Sequence, residues 1–249
     1  KTFYLDRGNW DQPVREIQPH TPAAFHPFPQ DAPRDRLGFA RWLADRQSPL
    51  TARVAVNRVW QAIFGTGLVE TAEDFGTRAA VPEYRELLDW LAVDFMEHHW
   101  SQKRLIRTIL TSRVYQQTSQ ASADLLERDP RNALLARQGR FRLEAESIRD
   151  LCLSVSGLLH PAVGGPSVRP RQPGGVSELT YAGSARWVES QGPDRFRRGL
   201  YTWFQRTSPY PMLLTFDAPE SNVTCTRRDR SNTPLQSLTL LNDPVFHEC

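Results

Sequence analysis

At 249 residues, with 39% hydrophobic content and a formal net charge of +3, the chain has enough apolar sequence for one large domain or two small ones and too much for disorder. No run approaches the roughly 20 apolar residues that a membrane-spanning helix needs. The three cysteines, Cys152, Cys225 and Cys249, are an odd number and lack the close spacing of a disulfide framework or a zinc site. Cys152 falls on an apolar helical face, whereas Cys225 and Cys249 are left open to pair with each other in an oxidising compartment. Positive charge is concentrated between Arg195 and Arg230, where seven arginines face only Asp217, Glu220 and Asp229. Such a surplus can hold a carboxylate, sulfate or phosphate; the competing reading is that these arginines pair with acids elsewhere in the fold.

Residues 1–33 carry six of the nineteen prolines and read as a Pro-rich lead-in or linker, with KTFYLDRG as a short strand. His20 and His26 each flank a proline there, which gives no metal-binding pattern. From Arg34 the period becomes helical. Leu37, Ala40, Leu43 and Ala44 share one face, with Phe39 and Trp42 as a second apolar row. Ser48 and Pro49 read as cap and first turn of the next helix, which places Val56, Val59, Trp60, Ile63 and Phe64 inward and ends at Gly65 and Gly67. Its polar flank, Arg53, Asn57 and Gln61, is either a solvated face or a clamp on the loop LVETAEDFG that follows. A third helix opens near Pro82 with Tyr84, Leu87, Leu88, Leu91 and Phe95 inward. A fourth is capped by Ser101, with Leu105, Ile106, Ile109 and Leu110 inward. The adjacent His98 and His99 between them diverge in direction and make a poor metal pair.

Asp129 and Pro130 are expected to restart helical structure, and the strongest late helix lies within RFRLEAESIRDLCLSVSGLL, with Leu143, Ile148, Leu151, Cys152 and Val155 as its core face. Glu146 stands one turn from Arg142 and from Asp150; two acids at that spacing can form a general acid and base pair, although such residues are more often surface ion pairs. Residues 157–199 dissolve into a long Gly/Pro-rich segment, of a length that tends to be functional or disordered. GLYTWFQR reads as a short strand delivering Arg206. Asn232, Thr233 and Pro234 then open a last helix with Leu235, Leu238 and Leu241 as its buried row.

Catalytic signatures are missing: there is no Walker A loop, no G-x-G-x-x-G, no G-x-S-x-G, no H-E-x-x-H and no C-x-x-C-H. GGPSV at 164–168 offers backbone donors to an anion but lacks a following lysine. A small net charge without a recognition helix argues against nucleic acid. The fold expectation is mainly α, a single multi-helix domain over 34–249 with a small β element and a long irregular segment, cut at both ends from a longer protein. The catalytic candidates are Asp217 and Glu146. The binding candidates are Arg53, Asn57, Arg206, Arg228 and Asp217, and no metal ligand set is present.

Several long stretches in order, SPLTARVAVNRVWQAIFGTGLVETAEDFG, PEYRELLDWLAVDFMEHHWSQKRLIRTILTSRVYQQTS, RFRLEAESIRDLCLSVSGLLHPAVGGPSV, LYTWFQRTSPYPMLLTFDAP and RSNTPLQSLTLLND, together resemble a planctomycete-specific domain of unknown function. That PSD-type domain lies at the C-terminal side of large cytochrome c-like proteins. Matching positions include Arg53, Asn57, Arg58, Trp60, Asp74, Arg142, Glu146, Arg149, Asp150, Gly164, Gly165, Arg206, Asp217, Arg228, Thr233, Gln236 and Asn242; the family supplies no role for them. The resemblance implies an extracytoplasmic setting, haem only in an upstream region and none in this segment, and polysaccharide degradation as context. The expected function is a non-haem accessory or binding domain contacting an anionic glycan or an upstream domain through an Arg-rich cleft. The alternatives are a carbohydrate-active hydrolase using Asp217 and Glu146, and a structural scaffold docking the cytochrome region.

Overall fold

The computed structural model of the chain describes residues 1–175 and 186–249, so part of the irregular 157–199 segment, residues 176–185, lies outside the described residues. Among the described residues, nine α-helices and one two-stranded sheet make the protein mainly α. Where one helical domain from residue 34 was expected, two compact units form, residues 1–140 and 141–249. The reason is that each closes its own apolar cluster: one draws on residues from Ala52 to Ile109, the other on residues from Ala145 to Val245.

In the 1–140 unit, β1 (Thr2–Leu5) and β2 (Pro13–Ile17) pair antiparallel, Thr2 opposite Ile17. α1 (Arg36–Leu43) is capped by Asp35, whose carboxylate accepts from the Leu37 and Gly38 amides. Its buried stripe is Gly38 and Trp42, while Leu37 and Leu43, expected inward, stay exposed. Gly38 sets this rotation. A Cβ there would collide with the Pro33 carbonyl and the Phe28 ring, so only glycine lets this side of the helix press against the preceding loop. Trp42 then stacks on His26 at 4.7 Å, and its indole N–H donates to the His26 carbonyl at 3.0 Å.

α2 (Thr51–Phe64), α3 (Arg85–Glu97) and α4 (Gln102–Leu110) build the core of this unit. Val56, Trp60, Leu88, Leu91, Phe95, Leu105 and Ile109 are buried, close to the helical-period expectation, whereas Ile106 is exposed. Ser101 caps α4 by accepting from the Arg104 amide. The end of α3 explains the two histidines. The His99 amide donates to Met96 O and the Trp100 amide to Phe95 O, with His99 at φ 56° and the Trp100 ring edge-on to Phe95 at 5.3 Å. This is a Schellman closure with histidine in the left-handed position usually given to glycine. α5 (Ala123–Arg128) follows. Asp129 does not restart a helix: its carboxylate accepts from the Ala133 and Leu134 amides, which holds 130–135 in turns.

The 141–249 unit comprises α6 (Ala145–Val155), α7 (Pro211–Thr215), α8 (Pro234–Asn242), α9 (Pro244–Glu248) and short 3-10 turns at Gly192–Phe196 and Gly199–Tyr201. The strand expected at GLYTWFQR is not formed. Its first residues make the second 3-10 turn, closed by Thr202 N to Gly199 O, and only an isolated bridge joins Thr202 to Val168. α6 is turned away from its expected face: Ala145, Arg149 and Leu153 are buried, while Leu143, Leu151 and Val155 are exposed. Gly199 fixes that rotation, because a Cβ on it would lie 2.9–3.0 Å from the backbone and Cβ of Glu146. α8 is turned likewise. Gln236 is its buried residue, and Leu235, Leu238 and Leu241 stand 60%, 54% and 68% exposed.

Candidate functional site

Asp217 is the hub of the 141–249 unit. It follows α7 as the left-handed residue of a second Schellman closure, with φ 63°, its own amide donating to Leu214 O and the Ala218 amide to Leu213 O. A non-glycine residue is costly in this conformation, and the side chain supplies the compensation. Its Oδ2 accepts from Arg142 Nη2 at 2.5 Å and from the Ser231 amide at 2.7 Å, and its Oδ1 accepts from Ser231 Oγ at 3.0 Å. Arg142 also donates to the Ser231 and Phe216 carbonyls. Burial pushes the Asp217 carboxyl up, but the Ser231 backbone and hydroxyl donors and the Arg142 charge outweigh it and hold it below the usual carboxylate range. Gln236 extends the hub: its side-chain N–H₂ donates to Thr215 O and Ser231 Oγ, both at 3.0 Å, and its Oε1 accepts from the Thr233 amide at 3.2 Å. With the Thr233 hydroxyl accepting from the Gln236 amide, this is a capping box, so one residue caps α8 and ties it to α7.

Glu146 lies in a second group. Arg228 Nη1 donates to Glu146 at 2.7 Å and to Glu144 at 3.1 Å, and Arg230 reaches Glu144 at 3.4 Å. Burial works against the charge on Arg228, but Glu146 and Glu144 outweigh it and hold the guanidinium more firmly protonated. Asp150 accepts from the Gly199 amide at 2.6 Å and from Arg198 at 3.0 Å, pinning the 3-10 turn to α6. Glu146, Asp150 and Asp217 are thus each engaged by an arginine. A carboxyl held down as Asp217 is stays ionised at neutral pH and offers no proton as a general acid.

GGPSV reverses its expected role. With Gly164 and Gly165 at φ 82° and 85°, the stretch turns the Gly164 and Pro166 carbonyls toward a cation. Arg197, 3% exposed, donates to the Ala162, Gly164 and Pro166 carbonyls, and its guanidinium lies 3.9 Å from the Tyr201 ring centroid. Arg149 is buried deeper still, 1% exposed, and donates to the Arg195 carbonyl at 2.7 Å; burial pulls its pKa down. Arg195 in turn pairs with Glu248 and Glu189. The arginine surplus read from sequence is therefore spent largely inside the unit. Arg206 and Arg227 are exposed and form no ion pair among the described residues.

In the 1–140 unit, Asn57 does clamp the following loop. Fully buried, it donates to Val69 O at 3.0 Å and accepts from the Val69 amide at 2.8 Å. Gly67 makes room for it, since a Cβ there would lie 2.6 Å from the Asn57 side chain. Arg53 takes no part in that clamp; it pairs with Asp89 of α3 at 2.5 Å, and its hydrogen bond is the chief cause lowering the Asp89 pKa. A cavity of about 450 Å³ in this unit is lined by His20, Phe25, His26, Phe28 and Arg34, and none of the sequence-derived candidates borders it. Among the described residues no group of three or more His, Cys, Asp or Glu could hold a metal, and no helix is long and apolar enough to cross a membrane.

Sequence reasoning missed Ser231, Glu144 and Arg197 as network members. The decisive bonds of Ser231 run from its own amide and hydroxyl to the Asp217 carboxylate, and those of Arg197 to backbone carbonyls 31 to 35 residues away, neither of which a spacing rule reports. The Thr233-x-x-Gln236 capping signal, by contrast, is written in the chain. No curated protein and no solved structure matches the chain. Residues 35–249, from the Asp35 cap of α1 to the last residue, match the family model PSD1, described as a protein of unknown function (DUF1553), and the chain belongs to that family.

Proposed function

We propose that this segment is a non-catalytic docking domain, and that α8 is the surface it docks with. The observation carrying this reading is that α8 is built inside out. Its buried residue is the polar Gln236, while Leu235, Leu238 and Leu241, with Leu240 at 45%, point outward. A helix needed only for its own fold would bury that row. Here the capping box and the bonds of Gln236 to Thr215 and Ser231 fix the helix from its polar side. Covering half-exposed leucines is worth on the order of 1 kcal/mol each, a useful share of a modest interface.

The partner we commit to is an upstream region of the same polypeptide, in an extracytoplasmic protein whose haem lies in that region. Two features favour docking over the other readings. The carboxylates needed for hydrolysis are each held by an arginine, and the arginine surplus is largely neutralised internally, leaving Arg206 and Arg227 for an anionic glycan. The test is co-purification of this segment with the separately expressed upstream region, for wild type and for Leu238→Gln/Leu241→Gln. Retention by wild type and at least tenfold weaker binding by the double variant is expected. Equal binding by both, or binding to sulfated glycans that Arg206→Ala abolishes, would sink the reading.

A further inference from the structure

The chain between Asp217 and Ser231 is a loop closed at its base. The Ser231 amide donates to the Asp217 carboxylate at 2.7 Å, and Arg228 and Arg230 are tied to Glu146 and Glu144. Between these anchors, residues 219–226 have no regular secondary structure and make no backbone-to-backbone hydrogen bond among the described residues. Within this span stand Glu220, Ser221, Asn222, Val223 and Thr224, all of them exposed. Ser221, at φ 56°, bends the chain just before the asparagine. Of the chain's asparagines, only Asn222 is followed by a residue other than proline and then by serine or threonine. Asn57, Asn132 and Asn242 spend their amides on the Val69, Arg137 and Leu238 carbonyls. Among the described residues, the one side-chain hydrogen bond within 219–226 is local, from the Cys225 thiol to the Arg227 carbonyl, which leaves Glu220, Asn222 and Thr224 without partners.

We propose that Asn222 is an acceptor for N-linked glycosylation by an oligosaccharyltransferase of the class that also reads a carboxylate two residues earlier, here Glu220. Such an enzyme must draw the acceptor segment off the protein surface, hold the Thr224 hydroxyl to set the register, and present the Asn222 amide to the sugar. Residues 219–226 can be drawn off without breaking a backbone hydrogen bond, while the Asp217 hub keeps the base of the loop closed. In the transfer, Asn222 Nδ2 attacks the anomeric carbon of an oligosaccharide carried on a polyisoprenyl diphosphate. A C–N bond forms and the C–O bond to the diphosphate breaks. The polyisoprenyl diphosphate leaves with the electron pair, the proton lost by the amide passes to the medium, and nothing is oxidised or reduced. For its occurrence in the cell the inference rests on the extracytoplasmic setting proposed above; its chemistry is independent of docking through α8.

The test combines the purified, folded chain with a single-subunit oligosaccharyltransferase of that class and lipid-linked oligosaccharide. It is read by intact mass and by mass spectrometry of the tryptic peptide 207–227, with a free peptide spanning 218–226 as the control for enzyme activity. The expected result is one glycan on that tryptic peptide in wild type and none in Asn222→Gln. Thr224→Val and Glu220→Gln should each lower the initial rate at least tenfold, whereas Thr224→Ser, which keeps the hydroxyl, should retain glycosylation. These variants change exposed side chains and should keep the wild-type Tm. Absence of a glycan from the folded wild-type chain, or a glycan that persists in Asn222→Gln, would overturn the proposal. No upstream region is present in this assay, so either of those results leaves the docking reading to its own co-purification test.

Discussion

The two units solve the same packing problem with different materials. In residues 1–140 the deepest side chains are mostly apolar, Val56, Leu88, Leu91, Leu105 and Ile109 at 2% exposure or less, with the single polar Asn57 satisfied at both ends by Val69. In residues 141–249 the largest fully buried side chain is Arg149, Arg197 is almost as deep, and the apolar cluster is limited to a few residues around Met212 and Tyr210. Arginine stems fill volume there while the guanidinium groups bind carbonyls and carboxylates. The lesson is that an arginine-rich stretch can be an interior framework, and a ligand-binding surface need not follow from its charge.

That contrast predicts different sensitivities. The largest effect should come from Trp60→Ala in the apolar core, a loss of about 3–5 kcal/mol in urea unfolding. Arg142→Ala, which strands Asp217 and frees the Ser231 and Phe216 carbonyls, should cost about 3 kcal/mol. Arg142→Lys should recover less than half of that, because one ammonium cannot reproduce the fork. If Arg142→Ala is neutral, the network is decoration and the comparison fails.

Acid titration sharpens the same point with a smaller effect. Asp217 and Asp89 have folded pKa values below their ordinary 3.8. Their contribution is therefore complete above about pH 3.8 and is lost as pH falls through the lower folded values. Asp243 has the opposite sign: burial raises its pKa, with only partial offset from the Val245 amide and Arg149. The folded state takes up its proton first, so this group favours folding as pH falls toward 3.8. Asp217→Asn, which tolerates the left-handed backbone but surrenders the charge, should cost about 1–2 kcal/mol at pH 7 and flatten the acid limb of stability measured by denaturant unfolding from pH 6 to 2. An unchanged limb would remove Asp217 from the account. The smallest effect belongs to Leu238→Gln/Leu241→Gln: a stability change within about 0.5 kcal/mol is expected beside a large loss of partner binding, and a large loss of stability would place those leucines in a core.

Legibility followed the same division. Helical period found α2, α3 and α4 and most of their buried residues, because those helices meet other helices through apolar side chains. It failed for α1, α6 and α8, where the buried stripe is Gly38–Trp42, Ala145–Arg149–Leu153 and Gln236. In two of these the rotation is set by a glycine, Gly38 or Gly199, pressed against backbone, and hydropathy carries no record of such a contact. At the site, Asn57 was legible as a clamp and Thr233 as a cap. Asp217 was visible as an anomaly of composition; its role as a left-handed helix terminator with Ser231 and Arg142 as partners depends on contacts across 14 and 75 residues.

The Asp217 hub, rather than apolar burial, holds α8 against α7, whose own Met212 and Leu213 are anchored in the apolar cluster. Hydrogen exchange compared between wild type and Arg142→Ala tests it most directly. The expected result is loss of protection at the Ser231 amide, at 216–218 and through 234–243, with the Val69 amide still protected by Asn57. Unchanged protection across 231–243 in the variant would contradict it.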